Sequence, residues 1–187
     1  MRYYTAKGDG GTTNLFSCSH GTRVSKGEKI FDVLGGLDEL NSHIGLCRAV
    51  TMRASFPRAD AETRSECVST LSRIQEHIFI IQAELGGSSK RLLRKHLEEV
   101  ENAVGQFATV FSPIQSFVLP GQTELAALLD ITRTITRRVE RRYIRLGAEY
   151  AEKEIGPYLN RLSSLLYVLA RFAVHAQGES EQAPTYQ

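Results

Sequence analysis

The chain has 187 residues, 42% of them apolar and 24% charged, with a formal net charge of +2. Such values describe a globular domain with room for one sizeable core; the charge is too small to imply nucleic acid, and no window approaches the roughly 20 apolar residues of a membrane span. The N-terminus has no apolar signal region, so a cytoplasmic protein is expected.

Residues 1–27 read as a polar, Gly-rich arm containing TAKGDGGTTN, with Tyr3 and Tyr4 as candidate anchors of its start. From Lys29 the period changes: Ile30, Val33, Leu37, Leu40 and Ile44 recur at spacings of three and four, which predicts a first amphipathic helix fading near Phe56-Pro57. Gly35 and Gly36 lie inside it at a cost of about 1 kcal/mol each relative to alanine, which implies a close neighbour or ligand. A second helix is predicted from about Asp60 to Leu85, striped by Leu71, Ile74, Ile78, Ile81 and Leu85 and ended by Gly86-Gly87. The third carries Leu93, Leu97, Val100, Val104, Phe107 and Phe111, and Ser112-Pro113 stops it. IQSFVLP, residues 114–120, reads as an extended connector. The fourth helix starts at Thr123 as N-cap and runs to about Leu146. The fifth begins at Gly156-Pro157 and is striped by Leu159, Leu162, Leu166, Leu169 and Ala173. The polar end, 178–187, is expected to be disordered. The fold predicted is an all-α bundle of five helices in a single domain spanning 1–187, with arm 1–27, bundle 28–177 and tail 178–187.

The fourth helix is the most informative about chemistry. It holds Arg133, Arg137, Arg138, Arg141, Arg142 and Arg145 and no lysine. At 100° per residue Arg133, Arg137, Glu140 and Arg141 share one face, while Leu128, Ile135 and Val139 lie roughly opposite and take the core. A solvated face usually mixes Lys with Glu; arginine alone also suits multidentate binding of phosphate or carboxylate. Both readings stand on this helix by itself. Asp38, Asn41 and Ser42 lie off the apolar stripe of the first helix, and an acid there has the arginines as possible partners. Asn160 and Arg161 open the fifth helix, where polar groups can reach a ligand at the end of the bundle. Phe117 fits either a core plug or an aromatic pocket wall. The arm matches neither a P-loop nor a dinucleotide fingerprint, yet its backbone N–H groups can form an anion nest, with Lys7, Lys26, Thr12 and Thr13 nearby. Cys18, Cys47 and Cys67 are few, odd in number and far apart, and are expected to be reduced thiols.

Four segments in order, TAKGDGGTT, SKGEKIFDVLGGLDELNSHIG, FVLPG followed by RTITRRVER, and YLNRLSSLLYVLAR, resemble the PduO-type ATP:cob(I)alamin adenosyltransferases from Tyr4 to about Ala173. The resemblance implies a ferritin-like five-helix bundle, usually a homotrimer with active sites between subunits. It implies transfer of the 5′-deoxyadenosyl group of ATP to reduced corrinoid cobalt, giving adenosylcobalamin and triphosphate, with Mg²⁺ on the nucleotide and cobalamin as substrate. By motif, Thr5, Ala6, Lys7 and Gly8 form the ATP loop, shaped by Asp9 and Gly11 and followed by Thr13 and Asn14; Lys26 contacts phosphate. The segment Arg137, Arg138, Val139, Glu140 and Arg141 grips the triphosphate, and Asn160 contacts the nucleotide. Asp38 and Arg133 are implied to pair across subunits, and Phe117 to shield the lower face of the corrin. A reductase and a cobalamin-dependent acceptor enzyme are implied partners. Lys7, Gln122 and Asp130 depart from the family pattern. An adenosylcobalamin sensor or chaperone without turnover, and a purely structural bundle, are the competing readings.

Overall fold

The computed structural model describes residues 3–18, 22–112, 116–150 and 153–186. Five helices carry the fold: α1 (Lys29–Arg53), α2 (Ala61–Leu85), α3 (Arg94–Ala108), α4 (Glu124–Ile144) and α5 (Ile155–Ala176). Helix α4 packs on both α5 and α1; α2 lies on α1, and α3 on α5. Helix α5 is apolar nearly all round and lies at the centre, with Tyr158, Leu159, Leu162, Leu165, Leu166, Leu169 and Phe172 all fully buried. Phe172 stacks edge-on to Phe56 at 5.7 Å and tilted to Phe107 at 5.1 Å.

The ends of α1 and α3 differ from the sequence expectation by a few residues. α1 stops at Arg53, before Phe56-Pro57. The Arg64 guanidinium donates to the Thr51 and Met52 carbonyls, which satisfies the end of the helix and frees Phe56 to turn into the core. α3 ends at Ala108 rather than Phe111. Thr123 caps α4 as expected, its hydroxyl accepting from the Ala126 amide at 3.2 Å. α2 and α5 both close in Schellman turns, through Gly87 at φ 90° and Gly178 at φ 88°. At α5 the Glu179 amide bonds the Val174 carbonyl at 3.0 Å and the Gly178 amide bonds His175 at 3.0 Å.

That second turn corrects one expectation. Residues 178–186 are irregular but not loose: the Gly178 turn sends the chain back along the bundle, where Glu181 pairs with Arg171 at 2.8 Å. Of the expected connector 114–120, residues 114 and 115 lie outside the described residues; the Leu119 amide bonds the Gln182 carbonyl at 2.7 Å.

The arm contains a two-residue antiparallel ladder, β1 (Thr12–Thr13) with β2 (Val24–Ser25), in the register Thr12 to Ser25. It docks on the α2–α3 corner, where the Ser17 amide bonds the Gly86 carbonyl at 3.3 Å. A Cβ on Gly87 would lie 2.5 Å from Ser17, so glycine is required there by space as well as by φ. Tyr3 and Tyr4, expected to anchor the arm, are exposed.

Candidate functional site

The helical phase of α4 divides its arginines by what they touch. Arg138 reaches across to α1 and binds both carboxylate oxygens of Glu39 at 2.7 Å. That hydrogen bond holds the Glu39 carboxyl below its ordinary value. Arg142 donates to the Asp32 carbonyl at 3.3 Å. Arg133 is bonded by Asp130, one turn before it, at 3.2 Å. The side chains of Arg137, Arg141 and Arg145 make no hydrogen bond or ion pair among the described residues. They succeed one another at intervals of four and so form one open cationic stripe. Val139, inside the same signature, is fully buried and packs toward α1. There a Cβ on Gly36 would stand 3.1 Å from its Cγ2 and 3.2 Å from Arg142 Nη1. Gly36 therefore has the close neighbour its sequence context implied, whereas Gly35 faces open space.

Beside the stripe, α5 contributes Asn160, whose amide donates to Glu140 Oε1 at 3.2 Å while its own oxygen accepts from Arg161 at 2.7 Å. Glu101 on α3 pairs with Arg161 at 3.3 Å. Glu140 is thus oriented by a neutral group, and its other carboxylate oxygen has no hydrogen-bond partner among the described residues. Among the described residues no group of three His, Cys, Asp or Glu is arranged around a metal position.

The arm is built around a residue that the motif comparison passed over. Arg23 donates to the Lys7 carbonyl at 2.7 Å, to the Thr12 carbonyl at 2.6 Å and hydroxyl at 2.7 Å, and to Asn14 Oδ1 at 3.4 Å. Lys26 Nζ sits 2.9 Å from the Gly8 carbonyl, over a glycine whose Cβ would come within 3.0 Å of it. Ala6 takes φ 58° and Gly11 φ 75°, which curls the segment Thr5–Gly11. The Asp9 and Gly11 amides close turns onto Ala6 and Gly8. The amides of Lys7, Gly8 and Gly10 donate to nothing among the described residues, as an anion nest requires. A cleft of about 470 Å³ separates the arm from the bundle; Val24, Glu28, Lys29, Ile30, Leu146 and Tyr150 line it. The arm's base therefore sits where α1 begins and α4 ends.

Phe117 lies at the other end of α4, in the loop that precedes it, and is 80% exposed. It is not a core plug. Asp38 is exposed on α1 and has no partner among the described residues, and Arg133 is engaged by Asp130, so the two do not meet within one chain. Sequence reasoning missed Glu39, Asp32 and Arg23, whose roles depend on contacts between distant segments. It noted Asp130 only as a departure. The structure makes Asp130 a buried acid, 2.5 Å from the fully buried Arg171.

Residues 3–173 match the family model described as cobalamin adenosyltransferase. The corrinoid adenosyltransferase PduO of Salmonella typhimurium is 36% identical over 91% of this chain and 49% of its own length. The chain thus spans about half of that relative. The cobalamin adenosyltransferase of Cupriavidus metallidurans is 36% identical over 95% of this chain and 90% of its own. A variant PduO-type ATP:corrinoid adenosyltransferase from Lactobacillus reuteri, complexed with cobalamin and ATP, superposes with a TM-score of 0.83. That match is 24% identical and covers 98% of this chain and 99% of the other, and it establishes the shared fold.

Proposed function

The chain belongs to the cobalamin adenosyltransferase family, and we propose that it transfers the 5′-deoxyadenosyl group of ATP to the cobalt of a reduced corrinoid, releasing triphosphate. The observation that carries this reading is the division of the α4 arginines. Arg138, Arg142 and Arg133 are held by the chain's own groups, while Arg137, Arg141 and Arg145 are left facing outward together. A stripe of uncommitted guanidinium groups next to an oriented carboxylate is built for a polyanion, and triphosphate is the leaving group of this reaction.

The assigned steps follow from these groups. The free amides of Lys7, Gly8 and Gly10, with Lys26, receive phosphate oxygens at the arm. Arg137 and Arg141 take the negative charge that grows on the triphosphate as the C5′–O bond breaks. Their effect is largest in the transition state, because the charge is largest there. The electron pair that forms the cobalt–carbon bond comes from cobalt(I), and the pair of the broken bond leaves with the triphosphate. No protein base is needed. The chain's task is alignment, worth up to about 7–11 kcal/mol when the reacting atoms are held in line.

Mg²⁺ fits this site as a companion of the triphosphate. The Glu140 carboxylate is an oxygen donor of the kind Mg²⁺ accepts, flanked in sequence by Arg137 and Arg141, and one of its two oxygens has no partner among the described residues. Bound there, the ion would supply charge neutralisation on the phosphates.

Phe117 is assigned to the corrin, as an apolar wall that keeps water and the cofactor's own base from the lower face of cobalt. The base of the arm and Phe117 lie at opposite ends of the 21-residue α4, about 30 Å apart along the helix. That separation supports a site completed by a second copy of the chain, with Asp38 and Arg133 pairing across the boundary in a homotrimer. A cytoplasmic location, a reductase that supplies the electron and an acceptor enzyme for the product belong to the same reading. With MgATP, a reductant and cob(II)alamin, the protein should produce the spectrum of adenosylcobalamin. A sensor or chaperone would bind the corrinoid and leave that spectrum absent. A purely structural bundle would show no rise in melting temperature with MgATP.

A further inference from the structure

The one fully buried guanidinium in the described core, Arg171 on α5, is 2% exposed and joins three parts of the chain that are distant in sequence. One nitrogen bonds Asp130 on α4 at 2.5 Å, and another bonds Glu181 in the C-terminal segment at 2.8 Å. Asp130 spends its second oxygen on Arg133, at 3.2 Å. The four charges alternate in sign and sum to zero, as a network removed from water must. Burial pushes the Glu181 carboxyl up even with Arg171 beside it, so this acid has been drawn out of solvent rather than resting on the surface. The residue after it completes the connection: the Gln182 carbonyl accepts from the Leu119 amide at 2.7 Å, two residues from the exposed Phe117. The Schellman turn at Gly178 is what brings the segment back to this position.

We propose that Glu181 is a positioning residue for the corrinoid half of the site: by locking onto Arg171 it fixes the C-terminal segment as a strap, and the strap holds loop 116–121 and therefore Phe117. The inference rests on the reading of Phe117 as the corrin wall, but the strap itself is a claim about this chain alone. Asp130 anchors Arg171 from the opposite side, so loss of Glu181 leaves the buried cation paired and the bundle folded. Among the described residues the loop has no other tie of comparable kind: Gln122 bonds the Leu119 carbonyl at 3.3 Å from within the same turn, and that bond does not tether the loop to the bundle.

The test compares wild type, Glu181→Ala and Glu181→Gln, each checked by melting temperature. Two readouts are taken. Amide hydrogen exchange at Leu119, without any ligand, reports the strap directly; steady-state adenosyl transfer reports KM for cob(I)alamin and for ATP separately. Glu181→Ala should lose protection at Leu119 and raise the corrinoid KM about tenfold, the scale of one hydrogen-bonded tether. The ATP KM should stay unchanged. Glu181→Gln, which can still accept from Arg171, should fall between. Unchanged exchange at Leu119 overturns the strap whatever the enzyme does. Lost protection with an unchanged corrinoid KM, or a rise in the ATP KM to match, overturns the positioning role. If wild type transfers nothing while Leu119 behaves as described, the strap stands and the assigned reaction is what fails.

Discussion

Arg137 should matter most to turnover among the α4 arginines and Arg138 least, because one is uncommitted and the other already holds Glu39. Arg137→Ala should lower adenosyl transfer by roughly 10²–10³-fold, the usual loss when one donor to developing charge is removed. Its melting temperature without ligand should match wild type. Arg138→Ala breaks a half-exposed ion pair, which costs about 1 kcal/mol or less of stability. Steady-state rates and melts of the two variants side by side check this ordering. At this scale the sequence was a partial guide. The run R-R-V-E-R marks the site, and helical phase puts Val139 in the core. It does not show that Arg138 is spoken for, because Glu39 lies 99 residues away in the chain. Arg23 was invisible for the same reason: its partners are backbone carbonyls brought to it by the β1–β2 ladder.

Helix contacts set a second group of expectations. α1 and α4 approach closely at Gly36, so Gly36→Val should push against Val139 and destabilise the bundle by about 1–3 kcal/mol, measured by urea unfolding. Between α2, α3 and α5, the buried His77 lies 3.1 Å from the Tyr158 hydroxyl and 3.4 Å from Glu99. Its ring also lies 4.7 Å from that of His96. Burial, with the neighbouring His96 second, lowers its pKa to about 4. The folded state therefore binds fewer protons than the unfolded state between about pH 6.5 and 4, and stability must fall as pH drops through that window. His77→Gln should flatten this decline by up to one proton, about 1.4 kcal/mol per pH unit; an identical slope in the variant would remove His77 as the cause. The five helices were legible from their 3–4 periodicity: α1 to α4 each bury one clear stripe, and the stripe read in α5 lies within a helix that is buried nearly all round. Their ends were less so. Proline suggested where α1 and α3 stop, but the chain stops sooner, where Arg64 satisfies the last carbonyls of α1. The tail GESEQAPTYQ was read as disordered on polarity alone, and only the buried Arg171 explains why a polar segment stays with the bundle.

The molecule as a whole brings the arm's base and Phe117 to opposite ends of α4, and this has a direct consequence for assembly. If each site takes Lys26 from one chain and Phe117 from another, Lys26→Ala and Phe117→Ala proteins should complement each other once their subunits exchange. The mixture would then exceed the mean of the two separate rates, and a mixture at the mean would place both residues of a site in one chain. The arrangement could not be read from sequence, since it depends on which end of the bundle the arm docks to. What the arrangement serves is tested most directly by single-turnover transfer. Wild-type protein with MgATP and cob(I)alamin should form adenosylcobalamin and triphosphate in equal amounts, with Arg137→Ala slower by the factor given above. Cob(I)alamin and ATP recovered unchanged from the wild-type reaction, or an Arg137→Ala rate equal to that of wild type, would contradict the account.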